Sequence, residues 1–83
     1  MLTAKYLHIE AGTTFDRWNA DTKLELGKEY RVRKVDMSPF HTDIQLAEID
    51  GKFNSVLFDF YEDGKPINIY RSAKYNPYGR AAR

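Results

Sequence analysis

Residues 43–60 of the chain read DIQLAEIDGKFNSVLFDF, and this stretch decides the fold class. Two runs of apolar residues face each other across Asp50-Gly51, as they do in paired β-strands. Asp-Gly is a preferred pair for a two-residue type I′ turn, because both turn positions require a positive φ. The stretch therefore predicts a β-hairpin with its turn at Asp50-Gly51, and with it a small, mostly β domain.

The predicted turn determines which residues of the hairpin face each other. Glu48 would lie opposite Phe53, and Ile44 opposite Leu57. Side chains alternate between the two faces of a strand, so the more apolar face is the better candidate for the core. The residues that share this face, and that we expect to be buried, are Ile44, Leu46, Phe53 and Leu57.

Shorter alternating patterns on either side of the hairpin predict further strands. Residues 5–10 and 24–36 both alternate, and the second alternation slips at Lys34-Val35, which predicts a β-bulge or a strand end there. Residues 67–70 follow a proline and indicate an edge strand, because proline cannot donate to a central ladder. Five short strands in so small a chain favour an all-β fold, a five-stranded SH3-like barrel.

Residues 13–23 show neither period cleanly, but Thr14 is a candidate cap for a short helical turn. Phe15 and Trp18 are three residues apart, so one turn of helix would place both rings on the same side. We expect these two aromatic side chains to close an open end of the barrel.

The length and composition of the chain limit the classes of protein to which it can belong. At 83 residues it forms a single domain. It contains no cysteine, which excludes disulfides, thiolate metal sites and a cysteine nucleophile, and favours a reducing compartment. The N-terminal residues show neither a signal peptide nor an apolar run long enough to span a membrane. These observations predict a cytoplasmic protein that does not contact a membrane.

Charge is distributed unevenly along the chain. Residues 1–70 carry nine basic and twelve acidic residues, a net charge of −3, whereas residues 71–83 carry four basic residues and no acid. The second segment also has few aliphatic residues for packing, so we expect it to contribute little to folding. The chain is therefore predicted to consist of a small β-barrel domain, residues 1–70, and a basic, tyrosine-rich C-terminal tail, residues 71–83.

One short pattern resembles a known group of proteins. Leu24, Gly27, Lys28, Tyr30 and Val32 form the pattern L-x-x-G-K-x-Y-x-V, which a hairpin ending in an aromatic residue follows. The pattern, over residues 24–60, resembles small SH3-like proteins of unknown function encoded by bacteriophages and mobile elements. The resemblance implies the fold and a phage or mobile-element origin. It assigns no functional residue, because its residues are those that a small barrel needs for packing.

The sequence contains no arrangement of residues typical of an active site or a cofactor site. The two histidines, His8 and His41, would need further nitrogen or sulfur ligands to form a structural zinc site. The glycines of Gly27-Lys28 and Gly51-Lys52 lack the helix N-terminus that follows a phosphate-binding loop. The carboxylates fall mostly on outward positions or in turns, as solvated charges do. We therefore predict no catalytic residues, no metal, no cofactor and no enzymatic activity.

Basic and aromatic residues that could contact a macromolecule fall into two groups. Three cations occur close together on one predicted strand, and the other residues lie at the junction with the tail or within it. Cations neutralise phosphates and aromatic rings stack on bases, whereas tyrosine and arginine are also enriched where proteins bind each other. The candidate partner-binding residues are Arg31, Arg33, Lys34, Tyr70, Lys74, Tyr75, Tyr78 and Arg80.

The tail string Tyr75-Asn76-Pro77-Tyr78-Gly79 leaves two alternatives open. Proline favours a turn after Asn76, and glycine permits a positive φ. The tyrosines either fold back onto the barrel as an aromatic clasp or belong to a peptide-like arm that docks on a partner.

The function that fits these observations best is a non-enzymatic interaction module that binds a host or phage protein. A nucleic-acid-binding barrel is one alternative, although a body with a net charge of −3 argues against a strong binder of this kind. A structural or assembly protein, in which exposed strand edges pair between copies, is another. The oligomeric state stays open.

Overall fold

One antiparallel sheet with a single short α-helix makes up the domain in the computed structural model, which describes residues 1–38 and 41–76. The helix α1 (Thr14–Asp21) lies between the first two strands, and 3₁₀ turns occur at Ser55–Leu57 and Ile69–Arg71. The fold is thus mostly β, as predicted. The strands are β1 (Leu2–Tyr6), β2 (Glu29–Met37), β3 (Thr42–Leu46), β4 (Phe53–Asn54), β5 (Phe58–Glu62) and β6 (Lys65–Ile67).

The strand order of the sheet is β4-β3-β2-β1-β5-β6. β1 lies in the middle, and Ala4 faces Tyr30 on one side and Phe60 on the other. Among the described residues β4 and β6 are the two outer strands and do not pair with each other. The sheet is therefore open, and the expectation of a closed barrel is corrected.

The sheet has six strands rather than five because the second arm of the predicted hairpin is broken. The Asn54 side chain accepts a hydrogen bond from the Val56 backbone amide at 3.2 Å and caps the 3₁₀ turn Ser55–Leu57. This turn divides the arm into β4, which pairs with β3, and β5, which pairs with β1. One predicted strand has thus become two.

The hairpin itself is present, but its turn differs from the prediction. β3 and β4 pair with Ile44 opposite Phe53, so a six-residue loop, residues 47–52, connects them. Gly51 has a φ of +109°, whereas Asp50 has no positive φ. The two consecutive positive φ values of a type I′ turn occur instead at Asp63-Gly64, with 51° and 85°, between β5 and β6.

The predicted core survives the change of register. Ile44, Leu46, Phe53 and Leu57 are all buried, as expected. Phe53 faces a residue four positions earlier than predicted, and an even shift keeps the residues of β3 and β4 on their original faces. The other buried apolar residues are Leu2, Ala4, Tyr6, Ala20, Leu24, Met37, Phe58, Phe60 and Ile69.

A bulge interrupts β2 close to the predicted place. The pairing of β2 with β3 shifts between Val32 and Lys34. As a result Val32 and Val35 both pack against the core, while Arg33 and Lys34 are both exposed. The prediction of a phase slip beside Lys34 is confirmed.

The first strand begins earlier than the sequence pattern indicated. β1 buries Leu2, Ala4 and Tyr6, whereas the prediction placed the strand at residues 5–10. The Tyr6 hydroxyl donates a hydrogen bond to Asp21 at the end of α1. Burial, followed by this bond to a carboxylate, raises the pKa of Tyr6 to about 12. Tyr6 therefore connects the middle of the sheet to the helix.

Helix α1 begins with a capping box. The Thr13 hydroxyl accepts from the Asp16 amide at 3.1 Å, and the Asp16 carboxylate accepts from the Thr13 amide at 3.0 Å. The cap is thus one residue earlier than predicted. Only Ala20 of the helix is fully buried. The expectation that Phe15 and Trp18 close the end of a barrel is wrong, because both side chains are exposed.

Candidate functional site

The most unusual surface feature of the described residues is an aromatic pair on α1. Phe15 and Trp18 are 67% and 61% exposed, and their ring centroids are 6.1 Å apart. Side chains of this size usually supply much of a small core, so an exposed pair on one helix is a candidate contact surface. We call these two residues the aromatic flank of α1.

Polar bonds hold α1 so that the aromatic flank stays outside. The Asn19 side chain donates to the Lys52 carbonyl oxygen at 2.9 Å, and the Asn54 side chain donates to the Asp16 carboxylate at 3.0 Å. With Ala20 as the buried residue, these bonds direct the Asp16–Asn19–Ala20 side of the helix towards the sheet. The flank is therefore presented on a fixed element.

Sequence reasoning missed this site although one signal for it was available. Thr13 and Asp16 have the spacing of a capping box, which sets the first residue of the helix. Within the helix, Asp16 and Ala20 lie four residues apart and are on the side that faces the sheet. Phe15 and Trp18 lie off this side, which is consistent with their exposure.

Three carboxylates are connected through strand pairing and one hydrogen bond, from α1 through β4 and β3 to β2. Asp16 is bonded to Asn54, which faces Asp43 in the pairing of β3 with β4. Asp43 in turn faces Asp36 on β2. We call Asp16, Asp36 and Asp43 the acidic border. His41 and Lys52 contact it, with Nε2 of His41 2.7 Å from Asp43 and Nζ of Lys52 3.5 Å from Asp36.

Asp16 is held in its ionised form. Burial is the largest single influence on its pKa and would raise it. The hydrogen bonds from the Thr13 amide, the Asn54 side chain and the Thr13 hydroxyl act in the opposite direction, and together they lower the pKa below its usual range. The negative charge beside Phe15 is therefore stable near neutral pH.

The three cations predicted on a strand do lie together, on the outer face of β2. Arg31 forms an ion pair with Glu48 at 2.5 Å, and Arg33 donates a hydrogen bond to Gln45. Lys34 is exposed and forms no ion pair within the part of the chain that the structure describes. Glu48 thus offsets part of the positive charge of this group.

Of the five other predicted binding residues, the three that the structure describes lie against the domain. The Tyr70 hydroxyl is 2.5 Å from Oγ of Ser55, and Tyr75 packs against the core and donates a hydrogen bond to Glu62. Lys74 lies 3.7 Å from Glu62. Tyr75 therefore folds back onto the domain, which is the first of the two alternatives for residues 75–79. Tyr78 and Arg80 lie outside the described residues, and the domain boundary after residue 70 stays a prediction.

Glu62 is the centre of the contacts that the tail makes with the sheet. Its carboxylate accepts hydrogen bonds from the N-terminal amine, at 2.9 Å, and from the Tyr75 hydroxyl, with Lys74 close by. These groups favour the charged form, the N-terminal amine most strongly, and lower the pKa of Glu62 from 4.5 to about 2.

The lowered pKa of Glu62 predicts a loss of stability in acid. A carboxyl group with a depressed folded-state pKa stabilises the fold above its unfolded value, here 4.5, and that contribution disappears as the pH falls towards about 2. We expect Glu62→Gln to flatten the decline of the thermal midpoint between these pH values. Glu25→Gln, which changes an exposed carboxylate elsewhere, should leave the decline as it is. Equal pH profiles for the Glu62 variant and the parent would contradict the assignment.

The described residues form no cluster of three or more histidine, aspartate or glutamate side chains that could hold a metal ion. None of the helices in residues 1–38 and 41–76 is long and apolar enough to cross a membrane. His8 lies between two carboxylates, with Nε2 2.7 Å from Asp59 and Nδ1 3.9 Å from Glu10, and His41 faces Asp43. These side chains are largely exposed to solvent, where such contacts contribute little.

These features define a small, mostly β protein with one exposed aromatic helix flank. The family described as bacteriophage T4 protein Y07B matches residues 1–81, so the chain belongs to this bacteriophage protein family. The phage origin that the sequence resemblance implied is thereby supported. No curated protein and no solved structure matches the chain.

Proposed function

We propose that the chain is a non-enzymatic, phage-encoded interaction module that binds a host or phage protein through the aromatic flank of α1. The observation that carries this proposal is the exposure of Phe15 and Trp18. Tryptophan and phenylalanine are enriched in protein interfaces, and burying one such side chain contributes about 1.5–3 kcal/mol. A partner that covers both rings would gain much of the energy that a specific contact requires.

The rigid attachment of α1 supports the same proposal. Because the capping box and the bonds of Asn19 and Asn54 already orient the helix, a partner meets the two rings in place. Binding to an ordered surface avoids the entropic cost of ordering a flexible one. The flank therefore suits a protein partner better than the described part of the tail, whose Tyr75 already packs on the domain.

An SH3-like architecture is the finer fold assignment that we propose. What supports it is the order β4-β3-β2-β1-β5, in which the bulged strand β2 pairs with β3 over one half and β1 over the other. The 3₁₀ turn between β4 and β5 also fits a small curled sheet of this kind. β6 would then be an addition at the edge. We keep the cytoplasm as the proposed compartment, because the chain has no cysteine.

Nucleic-acid binding is the second candidate, and the bulge in β2 favours it. The bulge leaves Arg33 and Lys34 both exposed next to Arg31, so three cations face outward in succession. Such a group would bind phosphates, and its affinity would fall steeply with salt. The ion pair of Arg31 with Glu48 and the acidic body weaken this candidate.

Affinity capture with a paired variant tests the proposed function. The immobilised chain is exposed to nuclease-treated lysate of the bacterial host, with and without phage infection. We expect Phe15→Ser/Trp18→Ser to lose the captured protein, because both anchoring rings are gone. Leu26→Ser, which removes another exposed apolar side chain from the loop after α1, is the control and should retain it. Equal capture by the double variant, with its fold intact by circular dichroism, would refute the proposal.

A further inference from the structure

The two outer strands of the sheet are protected against pairing with another chain. β6 has only three residues, and two of them, Lys65 and Pro66, are of the types that block the addition of a strand. β4 has two residues, and α1 is bonded to it through Asn54 and to the Lys52 carbonyl oxygen just before it through Asn19. Neither outer strand therefore offers a long edge to a further strand.

The second half of β2 has an edge that is not protected in this way. β1 pairs with β2 from Glu29 to Arg31, and the bulge follows directly. Beyond it, residues 34–37 pair with β3 on one edge, but no described strand pairs with their other edge and no described loop bonds to their backbone. Backbone groups without a partner in the protein are rarely buried, so this edge faces solvent. We call it the free edge of β2.

The pairing with β3 shows which backbone groups lie on the free edge. The Ser38 amide donates to the His41 carbonyl oxygen at 2.9 Å, in the same register as the β2–β3 pairing. Hydrogen-bonded pairs alternate along an antiparallel ladder, so the residues of β2 that exchange bonds with β3 are Asp36 and Lys34. The backbone N–H and C=O of Val35, which lies between them, therefore point towards the free edge.

The charges beside the free edge are complementary to themselves. Lys34 and Asp36 lie on the same face of β2, on either side of Val35. A second copy that approaches antiparallel, about a two-fold axis at Val35, places Lys34 of each copy opposite Asp36 of the other. Lys34 forms no ion pair with any residue that the structure describes, so the second copy supplies one. Opposite charges that face each other across antiparallel strands stabilise the pairing.

The other charged groups near the edge are compatible with this contact. Arg33 would lie opposite Met37 of the second copy, and it already donates a hydrogen bond within its own chain. Lys52 lies 3.5 Å from Asp36, and both side chains remain about half exposed, so the carboxylate can accept a second cation. Asp43 faces Asp36 in the β2–β3 pairing and adds negative charge beside it.

We infer that two copies of the chain associate through the free edge of β2, antiparallel and about a two-fold axis at Val35. The two Val35 backbones exchange both of their hydrogen bonds, and the sheets of the two copies become continuous through β2. The contact is self-complementary, so it closes with two copies. This inference goes beyond the proposed function and does not depend on the aromatic flank.

Sedimentation of the full chain over a series of concentrations tests the association. We expect an equilibrium between monomer and dimer with no larger species, because a two-fold contact leaves no further edge to fill. So short a strand pairing buries less area than a standard interface, and the dimer should form only above about 10 µM and be clear at about 1 mM.

An exchange of charges tests the register. Lys34→Glu and Asp36→Lys should each weaken the dimer by at least about tenfold, because each change places like charges opposite each other at two points. An equimolar mixture of the two variants should dimerise again, since opposite charges then meet at both points. A defect in folding would not be repaired by mixing. Lys65→Glu makes the same change as the first variant on β6, and as the control it should dimerise like the parent.

Several results would overturn the inference. These are a chain that stays monomeric at the highest concentration, a dimer that the single charge variants do not weaken, and a mixture of those variants that stays monomeric. A dimer that only Phe15→Ser/Trp18→Ser abolishes would place the contact on the aromatic flank. Slow exchange of the Val35 amide in a monomeric chain would show that another segment of the same chain, such as residues 77–83, occupies the edge.

Discussion

Replacement of Phe53 by alanine is expected to lower the free energy of unfolding by about 3–5 kcal/mol. Phe53 is 1% exposed, faces Ile44 across the hairpin, and contacts the Phe58 ring at a centroid distance of 6.5 Å. Truncation removes its transfer free energy and leaves a cavity beneath the short strand β4. Because small domains are stable by only about 5–15 kcal/mol, the variant should be largely or partly unfolded.

Urea unfolding followed by circular dichroism measures the effect of this substitution. Phe15→Ala is the matched control, because it makes the same chemical change at an exposed position and should stay within about 0.5 kcal/mol of the parent. A Phe53→Ala midpoint close to that of the Phe15 variant would show that Phe53 is not part of the core.

Ending the chain at Arg71 is expected to cost about 2–4 kcal/mol of stability. The shortened chain loses Tyr75, which packs against the core and donates to the charged Glu62, and Asn76, whose side chain donates to the Tyr70 carbonyl oxygen at 2.6 Å. The composition of residues 71–83 predicted a small contribution to folding. These two residues change that expectation, because they provide specific contacts rather than aliphatic bulk.

A chain ending at Asn76 is the comparison, since it keeps every contact described for residues 72–76. The difference in urea midpoint between the two shortened chains isolates the contribution of this short segment. If both unfold at the same urea concentration, Tyr75 and Asn76 do not stabilise the domain, and the original expectation for the tail holds.

The burial pattern of the hairpin could be predicted from the sequence, but its register could not. Alternation along a strand assigns each side chain to a face, and this assignment holds for Ile44, Leu46 and Phe53. Leu57 is buried as well, although it lies in the 3₁₀ turn rather than in a strand. The position of the turn depended on the local preference of Asp50-Gly51. Asp63-Gly64 has the same preference, and only there do both residues take positive φ. The observed register places Phe53 opposite the apolar Ile44. A tight turn at Asp50-Gly51 would instead place Phe53 opposite Glu48.

The bulge in β2 depends on the local sequence pattern, whereas the exposure of the aromatic flank depends on tertiary contacts. The bulge beside Lys34 could be predicted from the sequence, because it shifts the alternation of apolar and polar residues along β2. The fate of Phe15 and Trp18 depends on where α1 is anchored, and the anchors Asn19 and Asn54 contact partners distant in the chain. Their spacing on one helical turn predicted that these rings close an open end of the barrel, whereas the anchored helix exposes them.

The central position of β1 has a consequence for the order in which the domain folds. β2, β3 and β4 follow one another closely and can pair as soon as they are synthesised, but β1 lies between β2 and the late strand β5. Leu2 pairs with Glu62, so one edge of the first strand has no partner until nearly the whole chain has left the ribosome. Pairing of segments so distant in sequence is slow. The joining of β1 to β5 is therefore the step at which the growing chain becomes a complete domain.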